Sequence, residues 1–80
     1  MREETLIVAK KIICSALSCS VSELPENASF DNFVLWDSMG HMRIIVALEE
    51  HINRSLDSSE ILDIVNINAI CIILSGEKSV

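Results

Sequence analysis

Glycine, proline and aromatic residues are scarce in this sequence, which has two, one and three of them among its 80 residues. A sandwich or barrel of short strands needs turn residues at regular intervals. The scarcity therefore argues against a turn-rich β fold, and the abundance of isoleucine, leucine, serine and glutamate favours compact helices. Positive charge is also short: six lysines and arginines stand against twelve acidic residues, a formal net charge of -6. Such a chain repels phosphate backbones, which argues against DNA or RNA binding and favours basic protein partners over acidic ones. The three cysteines, Cys14, Cys19 and Cys71, are odd in number and match no zinc spacing. Cys14 and Cys71 fall in apolar helical segments, where a thiol acts as a small hydrophobe, and a reducing compartment follows. No apolar run approaches the roughly 20 residues of a bilayer span, and lysines follow Met1-Arg2-Glu3-Glu4 too early for a signal sequence. The expectation is a soluble, cytoplasmic monomer in which residues 1–80 form one small domain. Half of its residues are hydrophobic, enough for a core, but a chain this short needs good helix packing.

What is present is patterned as helices. Leu6, Ala9, Ile12, Ile13, Ala16 and Leu17 recur at steps of three and four, predicting a first helix over 3–17 whose early acids suit the helix dipole. Residues 18–37 form a connection of about 20 residues, a length that is uncommon unless the loop is functional or carries its own anchors. Ser20, Ser22, Pro25, Asn27, Ser29, Asp31 and Asn32 supply turns and caps. Among the apolar residues, Phe30 is expected to be buried between helices and Trp36 to cap the core beside Phe33. Val21 and Leu24 are expected to pin a short turn. A second helix is predicted over 38–51. Its stripe of Ile44, Ile45, Leu48 and Ile52 suffices for burial, so a second stripe of Met39, Met42 and Val46 is surplus and either marks a contact surface, the reading favoured for Val46, or, for Met39 and Met42, packs under the long loop. Asp57 or Ser58 can cap a short third helix over 59–63. Asn66 can cap a fourth over 67–74, with Gly76 as its stop. Residues Glu77 to Val80 are expected to fray.

Asp37 and Ser38 head the second helix. Its first turn offers unbonded N–H groups and the positive end of the dipole, which would stabilise a phosphate carried on Ser38. The same pair also reads as a plain N-cap, and the residues alone leave both readings open. The wider pattern adds to this. Asp37-Ser38-Met39 followed by an apolar helix resembles the attachment motif of acyl carrier proteins, Asp-Ser-Leu or a close variant. Lys10-Lys11-Ile12-Ile13 with Leu17 is similar to that family's first helix, and Asn27-Ala28-Ser29-Phe30, eight residues before the serine, to its long loop. Ala47-Leu48-Glu49-Glu50 resembles the end of its second helix, and Ile64-Val65-Asn66-Ile67-Asn68-Ala69 the entry to its last.

The resemblance implies an all-α four-helix bundle with three longer helices, a short third helix, and a long loop between the first and second. It implies that Ser38 is esterified by 4′-phosphopantetheine, transferred from coenzyme A by a phosphopantetheinyl transferase, which makes the chain a phosphoprotein. Asp37 would position the site for that enzyme, near its bound magnesium. The arm's thiol would carry an acyl or aminoacyl group as a thioester, and the chain would do no chemistry itself. It would raise the effective concentration of cargo at a docked partner's active site, with Met39, Met42, Arg43, Val46, Glu49 and Glu50 expected to meet partners. No nucleophile–base pair, metal cluster or glycine-rich phosphate loop suggests an enzyme.

Fatty-acid carriers of this family usually present an acidic second helix to basic partner patches. This chain keeps Glu49 and Glu50 but has Gly40 and Arg43 where acids are common, and His51 follows. Because rim charges select partners, the chain resembles specialised stand-alone carriers more closely than a general fatty-acid synthesis carrier. Such carriers work with acyl- or aminoacyl-activating, adenylate-forming ligases and downstream transferases, in surface-polysaccharide or secondary-metabolite pathways. A long acyl cargo would need room among Ile44, Leu48, Ile61 and Ile70. His41 is expected to be half-buried and hydrogen-bonded under the long loop rather than to act as a general base. The alternative from another class is a small helical interaction module that uses the Met39–Val46 face and leaves Ser38 unmodified.

Overall fold

Four α-helices make up the computed structural model, which describes residues 2–76 apart from the Arg2 side chain. They are α1 (Arg2–Leu17), α2 (Ser38–Ile52), α3 (Ser58–Asp63) and α4 (Ile67–Leu74), and no strand occurs among the described residues. The fold is all-α, as expected, with the third helix short. The tail Glu77 to Val80, expected to fray, lies outside the described residues.

The predicted apolar stripes become the core. Helix α1 packs against both α2 and α4. Ala9 and Ile13 from α1, Ile44 and Leu48 from α2, Ile64 from the α3–α4 link and Ile70 from α4 are wholly removed from solvent. Burial of each Ile or Leu of this set contributes about 1.5–3 kcal/mol. Leu6, Ala16 and Ile52 are half-buried around this centre, and Cys14 and Cys71 are buried within it. The three cysteines form no disulfide.

Side-chain caps set the helix ends. Asn53, with φ of 60°, closes α2 in the left-handed conformation that Asn tolerates. Asp57 and Glu60 form a reciprocal capping box on α3, which explains how six residues hold a helix at all. Arg54 adds a two-pronged ion pair to Glu60, at 3.0 and 2.8 Å. Asn66 caps α4 through the Ala69 N–H at 2.8 Å.

The long connection is anchored as its composition suggested, by Leu24, Phe33 and Trp36 but not by Val21 or Phe30. Its one short 3₁₀ turn, Val21–Glu23, is held by a capping box between Ser20 and Glu23. Leu24 beside it is buried while Val21 stays 48 % exposed, so Leu24 alone pins the turn. Phe30, expected between the helices, is 39 % exposed, and the interior place is taken by Trp36, which is wholly buried. The indole has the larger apolar area to remove from water, and the chain path decides the rest. The Phe30 N–H donates to the Val65 carbonyl at 2.8 Å, and Ser29 forms a lone antiparallel bridge with Asn66. These bonds hold Phe30 at the rim, against the link between α3 and α4. Asp31 then turns at φ of 68°, and its N–H donates to the Trp36 carbonyl at 3.0 Å. The loop folds back on itself and delivers Trp36 to the core immediately before α2 begins. Phe33 packs half-buried against that core.

Candidate functional site

At the head of α2 the two residues of the Asp-Ser pair divide their roles. Asp37, in extended conformation, is the N-cap: its Oδ1 accepts the Gly40 N–H at 2.9 Å. Ser38 is the first helical residue and is exposed. Among the described residues its hydroxyl makes no hydrogen bond and the N–H groups of Ser38 and Met39 have no acceptor. An exposed, uncommitted hydroxyl therefore stands beside two uncommitted backbone donors at the positive end of a 15-residue helix. A phosphate ester on Ser38 fits there, because those N–H groups would receive its oxygens.

Gly40 explains how the long loop reaches this point, and it corrects a reading of the sequence. Gly40 is buried, so it takes no part in the partner-facing charge pattern. A Cβ at this position would collide with the Leu35 carbonyl oxygen and lie 2.7 Å from Leu17 Cδ2. Only a residue without a side chain lets the loop backbone and the end of α1 close against the first turn of α2. Arg43 alone is left to alter the charge of this face.

His41 sits one residue further along, half-buried, and makes contacts on three sides. Trp36 Nε1–H donates to His41 Nδ1 at 3.0 Å. Indole nitrogen is a donor only, so the imidazole proton is on Nε2, which donates to the Ile61 carbonyl at 3.3 Å. Phe30 meets the ring edge-on with centroids 5.3 Å apart. The histidine ties the loop, α2 and α3 together, in line with the structural role expected of it.

The surplus apolar stripe is exposed: Met39 by 65 %, Met42 by 60 % and Val46 by 51 %. These residues line an open groove of about 610 Å³ between α1 and α2, together with Ser38, Arg43, Ala47 and Glu50 from α2 and Ser15 and Ala16 from α1. Five of the six residues expected to meet partners thus share one surface with Ser38. The sixth does not: Glu49 Oε2 accepts the Leu56 N–H at 2.8 Å, so this carboxylate holds the turn after α2. Arg43 has no ion-pair or hydrogen-bond partner among the described residues. Sequence reasoning missed the α1 side of the groove. Its signal, the small pair Ser15-Ala16 facing Ala47, is too common to point anywhere by itself. Of the residues considered for a long acyl chain, Ile44, Leu48 and Ile70 are fully buried and Ile61 is half-buried.

Among the described residues no three His, Cys, Asp or Glu side chains gather as a metal site, and no helix is long and apolar enough to cross a membrane. The family model described as "phosphopantetheine attachment site" matches residues 8–74, from within α1 to the end of α4. Comparison with curated proteins gives no match.

Proposed function

The chain belongs to the phosphopantetheine-attachment-site family, and on that premise we propose that Ser38 is the residue that bears its covalent 4′-phosphopantetheine. The observation that carries this reading is the division of labour at the α2 N-terminus. Asp37 satisfies the cap through Gly40 and leaves the Ser38 hydroxyl exposed and unbonded. A serine acting as the cap would have its oxygen committed to the helix.

The arm supplies a thiol that holds an acyl or aminoacyl group as a thioester. The protein's own residues do the rest by placement. Ser38 fixes the root of the tether at a rigid helix end. Asp37 holds that end open for a phosphopantetheinyl transferase. Met39, Met42, Val46, Arg43 and Glu50 offer partners an apolar strip with one unpaired cation and one carboxylate at its rim. Family membership implies dealings with the transferase and with biosynthetic enzymes in general. The finer reading is a specialised stand-alone carrier in the cytoplasm, loaded by an acyl- or aminoacyl-activating ligase, with no catalysis of its own. It rests on Arg43, which places positive charge where a partner basic patch would be repelled.

Incubation with coenzyme A and a phosphopantetheinyl transferase, followed by peptide mapping, tests the assignment. One phosphopantetheinyl group on the Ser38 peptide is the expected result. Modification of another serine, or none with a transferase active on a control carrier, overturns it. Weighing the thioester trapped in the native host tests the finer reading, which a long fatty acyl mass would contradict.

A further inference from the structure

The groove beside Ser38 continues past Glu50. A second depression is lined by Val8, Lys11 and Ile12 of α1 and by His51, and it shares Ser15, Ala47 and Glu50 with the first. Helix α1 runs antiparallel to α2 here, because Leu17 meets Gly40 at one end while Val8 and Lys11 lie by His51 at the other. The result is one trough along the outside of the α1–α2 pair. It starts at Ser38 and extends over the twelve-residue step to Glu50, about 18 Å at the helical rise. Small residues, Ser15, Ala16 and Ala47, form its floor. Met39, Met42, Val46 and Ile12 form its walls.

We propose that this α1–α2 trough is the resting site of the Ser38-borne arm and of a short aliphatic acyl group on it. The inference rests on the assignment of Ser38. Three observations favour this occupant. Ser38 itself lines the trough, so a tether rooted there reaches its apolar walls without leaving the surface. The other side of α2 is closed, with Ile44 and Leu48 fully enclosed against Ile64 and Ile70. The trough is open along its length, which suits a group that must be released to a partner and does not suit a long chain in need of enclosure. Each methylene laid against such a half-open apolar surface shifts the resting equilibrium by about two- to fourfold.

Methyl-resolved NMR on the holo chain loaded with butyryl or octanoyl tests this, with intact mass reporting the loading of each sample. Octanoyl is expected to shift the methyl resonances of Met42, Val46, Ala47 and Ala16 severalfold more than butyryl, leaving those of Ile44, Leu48 and Ile70 in place. In loaded Ser15→Glu, which puts a charge on the trough floor from α1, the octanoyl shifts should fall to the butyryl level while the core resonances report an intact fold. Full loading with no trough shifts, or with shifts centred on Ile44, Leu48 and Ile70, overturns the resting site and leaves the Ser38 assignment standing. A chain that gains no mass overturns both.

Discussion

Three choices within four residues shape the candidate site at the level of single residues: Asp37 caps, Ser38 stays uncommitted and Gly40 lets the loop approach. Asp37→Ala should cost about 1 kcal/mol in urea denaturation by removing the bond to the Gly40 N–H. Asp37→Asn keeps an oxygen for that bond and should recover most of the stability, so any loading defect that persists in Asp37→Asn belongs to the carboxylate's charge. Gly40→Ala sets two effects against each other. Alanine gains about 1 kcal/mol of helix propensity over glycine. The new Cβ meets the Leu35 carbonyl, a backbone atom that cannot rotate aside, and overpacking of this kind costs about 1–3 kcal/mol. The collision should win, giving a net loss of up to about 2 kcal/mol by the same measurement; a gain in stability would show that the loop simply lifts away. The sequence made the start of α2 at Asp37 and Ser38 legible, because a turn residue before an apolar helix is a local signal, whereas the tether role came from the resemblance. It could not show why Gly40 is glycine, since the obstructing Leu35 and Leu17 are brought there only by the folded loop.

Between elements, His41 is the joint, accepting from Trp36 in the loop and donating to Ile61 in α3. His41→Leu would leave the Trp36 N–H buried without an acceptor, a loss of about 1–3 kcal/mol. It would also release the short α3, whose amide protons should exchange with solvent measurably faster than those of α1. Unchanged exchange in α3 would mean that the Asp57–Glu60 capping box holds it alone. The helices themselves were legible because their apolar steps of three and four are local. The loop was less so: Phe30 and Trp36 are both large apolar residues in a turn-rich stretch. The choice between them depends on backbone bonds from Phe30 to Val65 and from Asp31 to Trp36, and no short-range pattern encodes these. The bond from the Leu56 N–H to Glu49 was hidden for the same reason, as it spans the turn after α2.

The whole molecule is a small helical core with one side of α2 buried and another left apolar and exposed, and the reading of it as a carrier rests on the family match and on the uncommitted Ser38 at the head of α2. Its core also sets a pH limit. Burial, with a contribution from the neighbouring Cys19 thiol, pushes the Cys14 thiol up to about 11 from the ordinary 9.0. A group that holds its proton more tightly when folded stabilises the fold below the unfolded value. That contribution is lost as pH rises through the folded one. Stability should therefore fall between pH 9.0 and about 11, and urea midpoints across that range should decline less steeply in Cys14→Ala. The open groove was half legible: Met39, Met42 and Val46 stood out as surplus on α2, whereas Ser15 and Ala16 became part of it only when α1 packed alongside. The central claim is that Ser38 is a tether point and contributes nothing to the fold. The most direct measurement compares wild type and Ser38→Ala after incubation with coenzyme A and a phosphopantetheinyl transferase, by intact mass and urea denaturation together. The predicted result is one added phosphopantetheinyl group on wild type and none on Ser38→Ala, with stabilities within about 0.5 kcal/mol of each other. Equal mass gain on both proteins would contradict the account.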